Sequence, residues 1–167
     1  MATAELVLVT RSPEATEAVG EALGRELEPG AVVALDGELG SGKTCLVRGL
    51  ARGLCVEDPV SSPTFTLLHE YRGRLPVHHF DAWMSGRERA FLEAGGAEAL
   101  CDEGVALIEW ADHVRAYLPP ARLAVHLSHL APLVRRLRLA VLGAPGARPD
   151  LERALQAAAR AAQEGSR

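Results

Sequence analysis

Lysine and asparagine are almost missing from this 167-residue chain: Lys43 is its single lysine, and asparagine does not occur. Apart from Lys43 and six histidines, every basic side chain is an arginine. Regulatory GTPases read guanine with a motif of the form N-K-x-D or T-K-x-D. Because the chain has no asparagine and its only lysine, Lys43, is preceded by Gly42 and followed two residues later by Cys45, neither form can be built here, which strongly disfavours guanine selectivity.

Cysteine is scarce and long apolar runs are missing. The three cysteines, Cys45, Cys55 and Cys101, are odd in number and form no C-x-x-C pair, which argues against a disulfide framework and a structural zinc site. No apolar run approaches the ~18 residues that span a bilayer. Residues 1–10 lack the basic region of a signal peptide. We therefore expect a cytoplasmic protein that makes no membrane contact.

The charge balance is ordinary. Hydrophobic residues make up 48% and charged residues 24%, and the net charge is -4. These values are typical of a globular protein, and the length predicts one domain over residues 1–167. A net negative charge predicts no strong electrostatic binding to nucleic acid, so no DNA contact is expected.

Hydrophobic periodicity predicts strands that alternate with helices. Residues 6–10, 31–35 and 105–108 read as short buried strands, and Ser12-Pro13 begins a helix that Pro29-Gly30 ends. Further strands are predicted over 64–71, 76–80, 123–127 and 133–142, and further helices over 43–54, 87–94 and 150–163. The last residues, 158–167, are expected to be frayed.

A glycine-rich loop connects the strand over 31–35 to the helix that starts at Lys43. It matches G-x-x-x-x-G-K-[ST] with the residues Gly37, Glu38, Leu39, Gly40, Ser41, Gly42, Lys43 and Thr44. Such a P-loop turns backbone N–H groups toward phosphate oxygens, the lysine reaches the β- and γ-phosphates, and the hydroxyl ligates Mg²⁺. The chain is thus predicted to bind ATP in an α/β fold: a P-loop NTPase-like sheet flanked by helices, with an antiparallel strand pair toward the C-terminus.

Two acids follow predicted strands, where α/β sheets bind ligands. Asp81 ends the run VHHFD and Glu109 ends VALIE. Taken singly, each acid is equally well explained as a helix cap or a surface ion pair. Together with a P-loop, they favour a role in holding Mg²⁺ and in hydrolysis.

Several other residues leave alternatives open. The loop 61–64 is either a switch that senses the γ-phosphate or an ordinary turn. His78 and His79 face opposite sides of a strand, so one is expected in the core and one near the site. Trp110 either stacks near nucleotide or packs in the core. The basic cluster Arg135, Arg136 and Arg138 is either a solvated strand edge or a contact for phosphate or a partner.

The runs LDGELGSGKT, SSPTFTLLHEY, VHHFDAW and ALIEWADH, in this order, resemble the TsaE (YjeE) family from about Ser12 to Leu142. The resemblance implies a small bacterial ATPase with a P-loop sheet. It also implies a role in forming N6-threonylcarbamoyladenosine beside the anticodon of tRNAs that read codons beginning with A. TsaE proteins act with the TsaB–TsaD pair, so tRNA would be met only indirectly, through that complex.

The resemblance also implies roles for particular residues. Thr44 and Glu109 would hold Mg²⁺, and Asp81 with Lys43 would serve hydrolysis. Nucleotide contacts would extend beyond the loop to Cys45, Thr64, Trp110, Ser12 and Arg135.

The chain departs from the family pattern at three points. The family's D-L-Y-R is here Asp81-Ala82-Trp83-Met84, so any role of that arginine has no counterpart at position 84. Ala111 follows Glu109-Trp110 where proline is common, and Cys45 stands where a second threonine often follows the P-loop.

Two other functions fit the same residues. A small-molecule kinase would need an acceptor pocket and an arginine-bearing lid, for which Arg87, Arg89 and the Arg135 cluster are candidates. A binding module would use nucleotide only to stabilise a complex, a reading that Asp81 and Glu109 disfavour.

Overall fold

The computed structural model describes residues 1–61, 68–83, 89 and 103–167. Its strands are β1 (Ala2–Thr10), β2 (Val32–Gly37), β3 (Leu68–Arg72), β4 (Pro76–Asp81), β5 (Val105–Glu109), β6 (Arg122–Ala131) and β7 (Val134–Leu142). Its helices are α1 (Pro13–Glu26), α2 (Lys43–Gly53) and α3 (Pro149–Glu164), with a 3-10 helix over Ala111–Tyr117. The alternation of strands and helices confirms the predicted α/β class.

The strands form one seven-stranded sheet in the order β1-β7-β6-β2-β5-β4-β3. β2 is central and pairs in parallel with β5 on one side and with β6 on the other. β4 also runs parallel to β5, whereas β3 and the β1-β7-β6 ribbon add antiparallel pairs at the two edges. The carboxyl ends of β2, β4 and β5 therefore meet at one edge of the sheet, where parallel sheets bind ligands. The predicted late antiparallel pair is β6-β7.

Each face of the sheet has its own core. One face packs against α1, α2 and α3 through buried leucines and valines such as Leu23, Leu50, Leu107, Leu137 and Leu151. On the other face a smaller cluster of Val32, Phe80, Ile108 and their neighbours packs against Ala111 and Val114 of the 3-10 helix. Because all five residues of β5 are buried, that strand is held rigidly where it ends in Glu109.

Helices α1 and α2 touch through glycines. A Cβ added at Gly20 would lie 2.4 Å from the carbonyl oxygen of Leu46, and one at Gly49 would lie 2.1 Å from that of Glu17. The same holds for Gly24 and Gly53, whose added Cβ atoms would meet carbonyl oxygens at 2.3 Å. The two backbones thus approach more closely than any side chain would allow, which fixes α2 against α1.

Several element ends differ from prediction. β1 begins at Ala2, because its whole length pairs with β7. α3 continues to Glu164, where frayed residues were predicted from 158 on, and Ala158 is fully buried. β3 is described from Leu68, so the start of the strand predicted over 64–71 lies outside the described residues, as does the helix predicted over 87–94 except for Arg89. Within the described part, no helix has the length and apolarity needed to cross a membrane.

Candidate nucleotide-binding site

The glycine loop links β2 to α2 through three glycines with positive φ. The φ angles are 146° at Gly37, 77° at Gly40 and 104° at Gly42, a backbone region that other residues rarely adopt. A Cβ at Gly37 would also lie 2.5 Å from the carbonyl oxygen of Leu127. The loop therefore requires its glycines both for backbone shape and for space beside β6.

The amino end of α2 opens onto the space that the loop encloses. Gly42 is its N-cap residue, no side chain of the described residues caps it, and its first turn contains no acid. The uncapped N–H groups and the positive end of the helix dipole suit an anion such as phosphate.

The Lys43 side chain lies inside the loop, and the residue is only 5% exposed. Its Nζ donates to the carbonyl oxygens of Gly37 and, at 3.0 Å, Glu38. It also lies 4.0 Å from the ring centroid of Trp110. Burial lowers the pKa of Lys43, and the charges of Glu109, Asp36 and Asp81 partly offset that effect.

The two strand-end acids lie on adjacent strands. Asp81 and Glu109 are register partners in the β4-β5 pair, and both are buried. Thr44 Oγ1 donates to Oε1 of Glu109 at 3.1 Å, which joins the P-loop to β5. Asp81 Oδ1 accepts the backbone N–H of Trp83 at 2.8 Å. The predicted metal and hydrolysis residues therefore converge at one edge of the sheet.

His79 is the buried member of the histidine pair, and its Nε2 lies 2.5 Å from Oε2 of Glu109. His78 instead faces Glu70, and its Nδ1 lies 3.4 Å from Oε1 of that carboxylate. The sequence left open which histidine would lie at the site. The sequence signal that could have identified His79 was its spacing from Asp81, because residues two apart on a strand share a face.

Two tryptophans form a wall of the site. The ring centroids of Trp83 and Trp110 are 4.5 Å apart, and His113 stacks on Trp110 at 5.8 Å. Trp110 has a left-handed backbone with φ of 58°, so the chain turns sharply after Glu109. The role of Trp83 was missed from the sequence, which shows only that it replaces a tyrosine of the family pattern.

The remaining predicted contacts lie around the rim. Arg135 Nη2 donates to the carbonyl oxygen of Gly40 at 3.3 Å, so the β6-β7 hairpin contacts the P-loop. Ser12 caps α1 by accepting the N–H of Ala15 at 3.0 Å. Cys45 Sγ donates to the carbonyl oxygen of Pro13 at 3.3 Å, which brings the start of α1 beside the loop. Thr64 lies outside the described residues.

The oxygen ligands at this site fit a nucleotide bound with Mg²⁺. The hydroxyl of Thr44 and the carboxylate of Glu109 are oxygen ligands that lie together beside the loop. At nucleotide sites Mg²⁺ is held by one or two protein ligands together with phosphate oxygens and water, so these two residues would be sufficient protein ligands.

The parallel strands that end around the glycine loop and the Lys43–Thr44–Glu109 contacts define a P-loop NTPase-like protein. A family model described as "Threonylcarbamoyl adenosine biosynthesis protein TsaE" matches residues 10–137. The chain belongs to this TsaE family, whose members take part in tRNA threonylcarbamoyladenosine biosynthesis.

Individual relatives agree with the family model. The tRNA threonylcarbamoyladenosine biosynthesis protein TsaE of Treponema pallidum is 41% identical over 132 residues, covering 79% of this chain and 98% of the relative. The protein of the same name from Bacillus subtilis is 36% identical over 135 residues, covering 80% and 84%. A crystal structure of Bacillus subtilis YdiB superposes with a TM-score of 0.74 at 30% identity, over 96% of this chain and 97% of that one.

Proposed function

We propose that this chain is a Mg²⁺-dependent ATPase that supports formation of N6-threonylcarbamoyladenosine in tRNAs reading codons that begin with A. It acts in the cytoplasm with a TsaB–TsaD complex, through which it meets tRNA indirectly. The observation that carries the proposal is the convergence of Lys43, Thr44, Asp81 and Glu109 at one edge of the sheet. Family membership supplies the pathway.

Each of these residues has a distinct part in the proposed hydrolysis. Gly37–Thr44 and the start of α2 bind the phosphates, and the ammonium of Lys43 stabilises charge on the γ-phosphoryl group. Thr44 and Glu109 hold Mg²⁺, which when bound neutralises phosphate charge. Asp81 orients a water molecule and accepts its proton as the water oxygen bonds to the γ-phosphorus. The bond to the bridging oxygen then breaks, and ADP leaves with the electron pair.

The decisive experiment measures phosphate release from ATP by the purified chain, alone and with its cognate TsaB–TsaD pair. We expect slow turnover alone and a clear rise with the pair, because regulatory NTPases often complete their sites with a partner. If the TsaB–TsaD pair leaves the rate of ATP hydrolysis unchanged, the proposed role in tRNA modification loses its support and the small-molecule kinase is favoured. ATP binding without turnover in either condition would favour the binding module.

Asp81→Asn tests the hydrolysis step. Because the amide cannot accept the proton of water, we expect phosphate release to fall by about a hundredfold or more. ADP affinity should change by less than about twofold, since no phosphate contact is removed. Asp58→Asn is the matched control, because that carboxylate is exposed and lies outside the site. Unchanged turnover in Asp81→Asn would remove Asp81 from the mechanism.

A further inference from the structure

The His79 side chain has no exposed surface and lies beside the Glu109 carboxylate. A carboxylate oxygen accepts hydrogen bonds, so Nε2 of His79 carries the hydrogen and donates it to Oε2. The other ring nitrogen, Nδ1, has no hydrogen-bond partner within the described part of the chain. The polar interaction that the structure shows for this ring is therefore directed at Glu109.

Core packing does not explain a histidine at this position. An unpartnered buried ring nitrogen destabilises a protein, and an apolar side chain of similar size would avoid that cost. The neighbouring rings of His69 and Tyr71 pack on His79 at centroid distances of 6.4 and 6.5 Å. They help to fix the direction of the imidazole, and the polar contact that the described residues offer to offset its burial is the bond to Glu109.

The two oxygens of Glu109 have different partners. His79 holds Oε2, whereas Oε1 accepts the hydroxyl of Thr44 at 3.1 Å. Glutamate has several rotatable bonds, so its carboxylate needs a contact of this kind to stay in one orientation. With Oε2 held from the β4 side, Oε1 remains directed at the P-loop.

We propose that His79 is a positioning residue: it holds the Glu109 carboxylate in the orientation that presents Oε1, together with Thr44, to Mg²⁺. This inference rests on the proposed function. Partners of this kind orient metal ligands, and their loss typically lowers metal affinity by about ten- to a hundredfold. Strand β4 thus supplies two residues on one face: Asp81, which orients the attacking water, and His79, which positions the metal ligand Glu109.

The test uses binding, so that it does not depend on turnover. Trp83 and Trp110 are the two tryptophans of the chain and both line the site, so their fluorescence follows ADP binding. ADP is titrated into the protein once in the presence of MgCl₂ and once in the presence of EDTA. The ratio of the two dissociation constants measures how much Mg²⁺ strengthens ADP binding. In the wild-type chain, we expect Mg²⁺ to tighten ADP binding.

Two amide variants separate positioning from packing. In His79→Gln the side-chain N–H reaches the position of Nε2, whereas in His79→Asn the shorter amide reaches only that of Nδ1. We expect His79→Gln to keep most of the Mg²⁺ effect, and His79→Asn to lose about tenfold or more of it. ADP binding in EDTA should stay within about twofold of wild type for both, because the phosphate contacts are unchanged.

His78→Asn is the matched control, since it makes the same change one residue away on the opposite face of β4. It should behave as wild type. The proposal is overturned if His79→Asn keeps the full Mg²⁺ effect, or if it weakens ADP binding equally with and without Mg²⁺, as a packing defect would. A wild-type chain in which Mg²⁺ has no effect on either binding or hydrolysis would instead overturn the proposed function itself.

His79→Leu adds a second measurement that does not depend on amide geometry. It removes the donor but fills the same apolar space, so thermal stability in EDTA should be retained. We expect MgCl₂ to add much less to the stabilisation by ADP in this variant than it adds in the wild-type chain. If Mg²⁺ raised its melting temperature as much as that of wild type, Glu109 would need no partner and the proposal would fail.

Discussion

The ammonium of Lys43 is enclosed by the loop that precedes it. It donates to backbone carbonyls at Gly37 and Glu38 and lies over the ring of Trp110. These contacts suit a compact point charge on a flexible stem. A guanidinium is planar and wider and distributes its donors in a fixed fork. The small space inside the glycine loop therefore explains why this position is a lysine in a chain whose other long basic residues are all arginines.

Lys43→Arg therefore tests shape rather than charge. Although the positive charge is kept, we expect ADP affinity to fall by more than about tenfold, because the fork does not fit within the loop. Tryptophan fluorescence during an ADP titration gives the measurement. The reverse exchange at an exposed site on the same helix, Arg48→Lys, is the control and should leave affinity unchanged. If Lys43→Arg binds ADP with the affinity of the wild-type chain, the loop requires only a positive charge at this position.

The two acids and His79 show how far residue-level prediction reaches. Asp81 and Glu109 were found because each follows a buried run, and parallel strands end at one edge of a sheet. The bond from His79 to Glu109 joins two strands about thirty residues apart in the chain. Periodicity gives the face of a side chain but not its partner on the next strand, so this contact required the three-dimensional structure.

At the scale of elements, the α1-α2 contact depends on four glycines. Gly20 and Gly24 on α1, and Gly49 and Gly53 on α2, each recur at a spacing of four residues, which places each pair on one helix face. Glycine normally weakens a helix, so this pattern in two successive helices was the available sequence signal. It was missed because hydrophobic periodicity records the positions of apolar side chains, and glycine has none.

Gly49→Ala is expected to lower the free energy of unfolding by about 1–3 kcal/mol or more, as overpacking does. The new Cβ would meet backbone, the Glu17 carbonyl oxygen at 2.1 Å, which cannot move away as a flexible side chain does. Denaturant unfolding measures the change. Gly165→Ala is the control, because its Cβ would approach nothing closer than 3.6 Å. Equal stability of the two variants would show that the helices separate without cost.

Element types were predicted better than element ends. β2, β5 and α2 were recovered almost to the residue, because each is delimited by the glycine loop or by a strand-end acid. β1 and β6 are longer than predicted, since their outer residues are held by pairing with β7 rather than by burial. The 3-10 helix over Ala111–Tyr117 was not predicted, and it starts directly after the left-handed backbone of Trp110.

At the scale of the whole molecule, ligand binding is linked to stability. A ligand that binds only the folded state at about a hundred times its dissociation constant adds about 2.7 kcal/mol. For a domain of this size that corresponds to a rise in melting temperature of about 5–10 °C. We expect this rise with ADP and MgCl₂, and a much smaller one in Lys43→Ala. A rise of equal size in Lys43→Ala would place the bound nucleotide elsewhere.

The position of the single lysine has a consequence for covalent regulation. Acetylation and related lysine modifications can take place at only one side-chain amine in this protein, and that amine lies within the phosphate-binding loop. An acyl group there would remove the positive charge that the loop presents to phosphate. Lysine acylation of this chain therefore has a single possible target, and any modified molecule has lost the charge of its P-loop lysine.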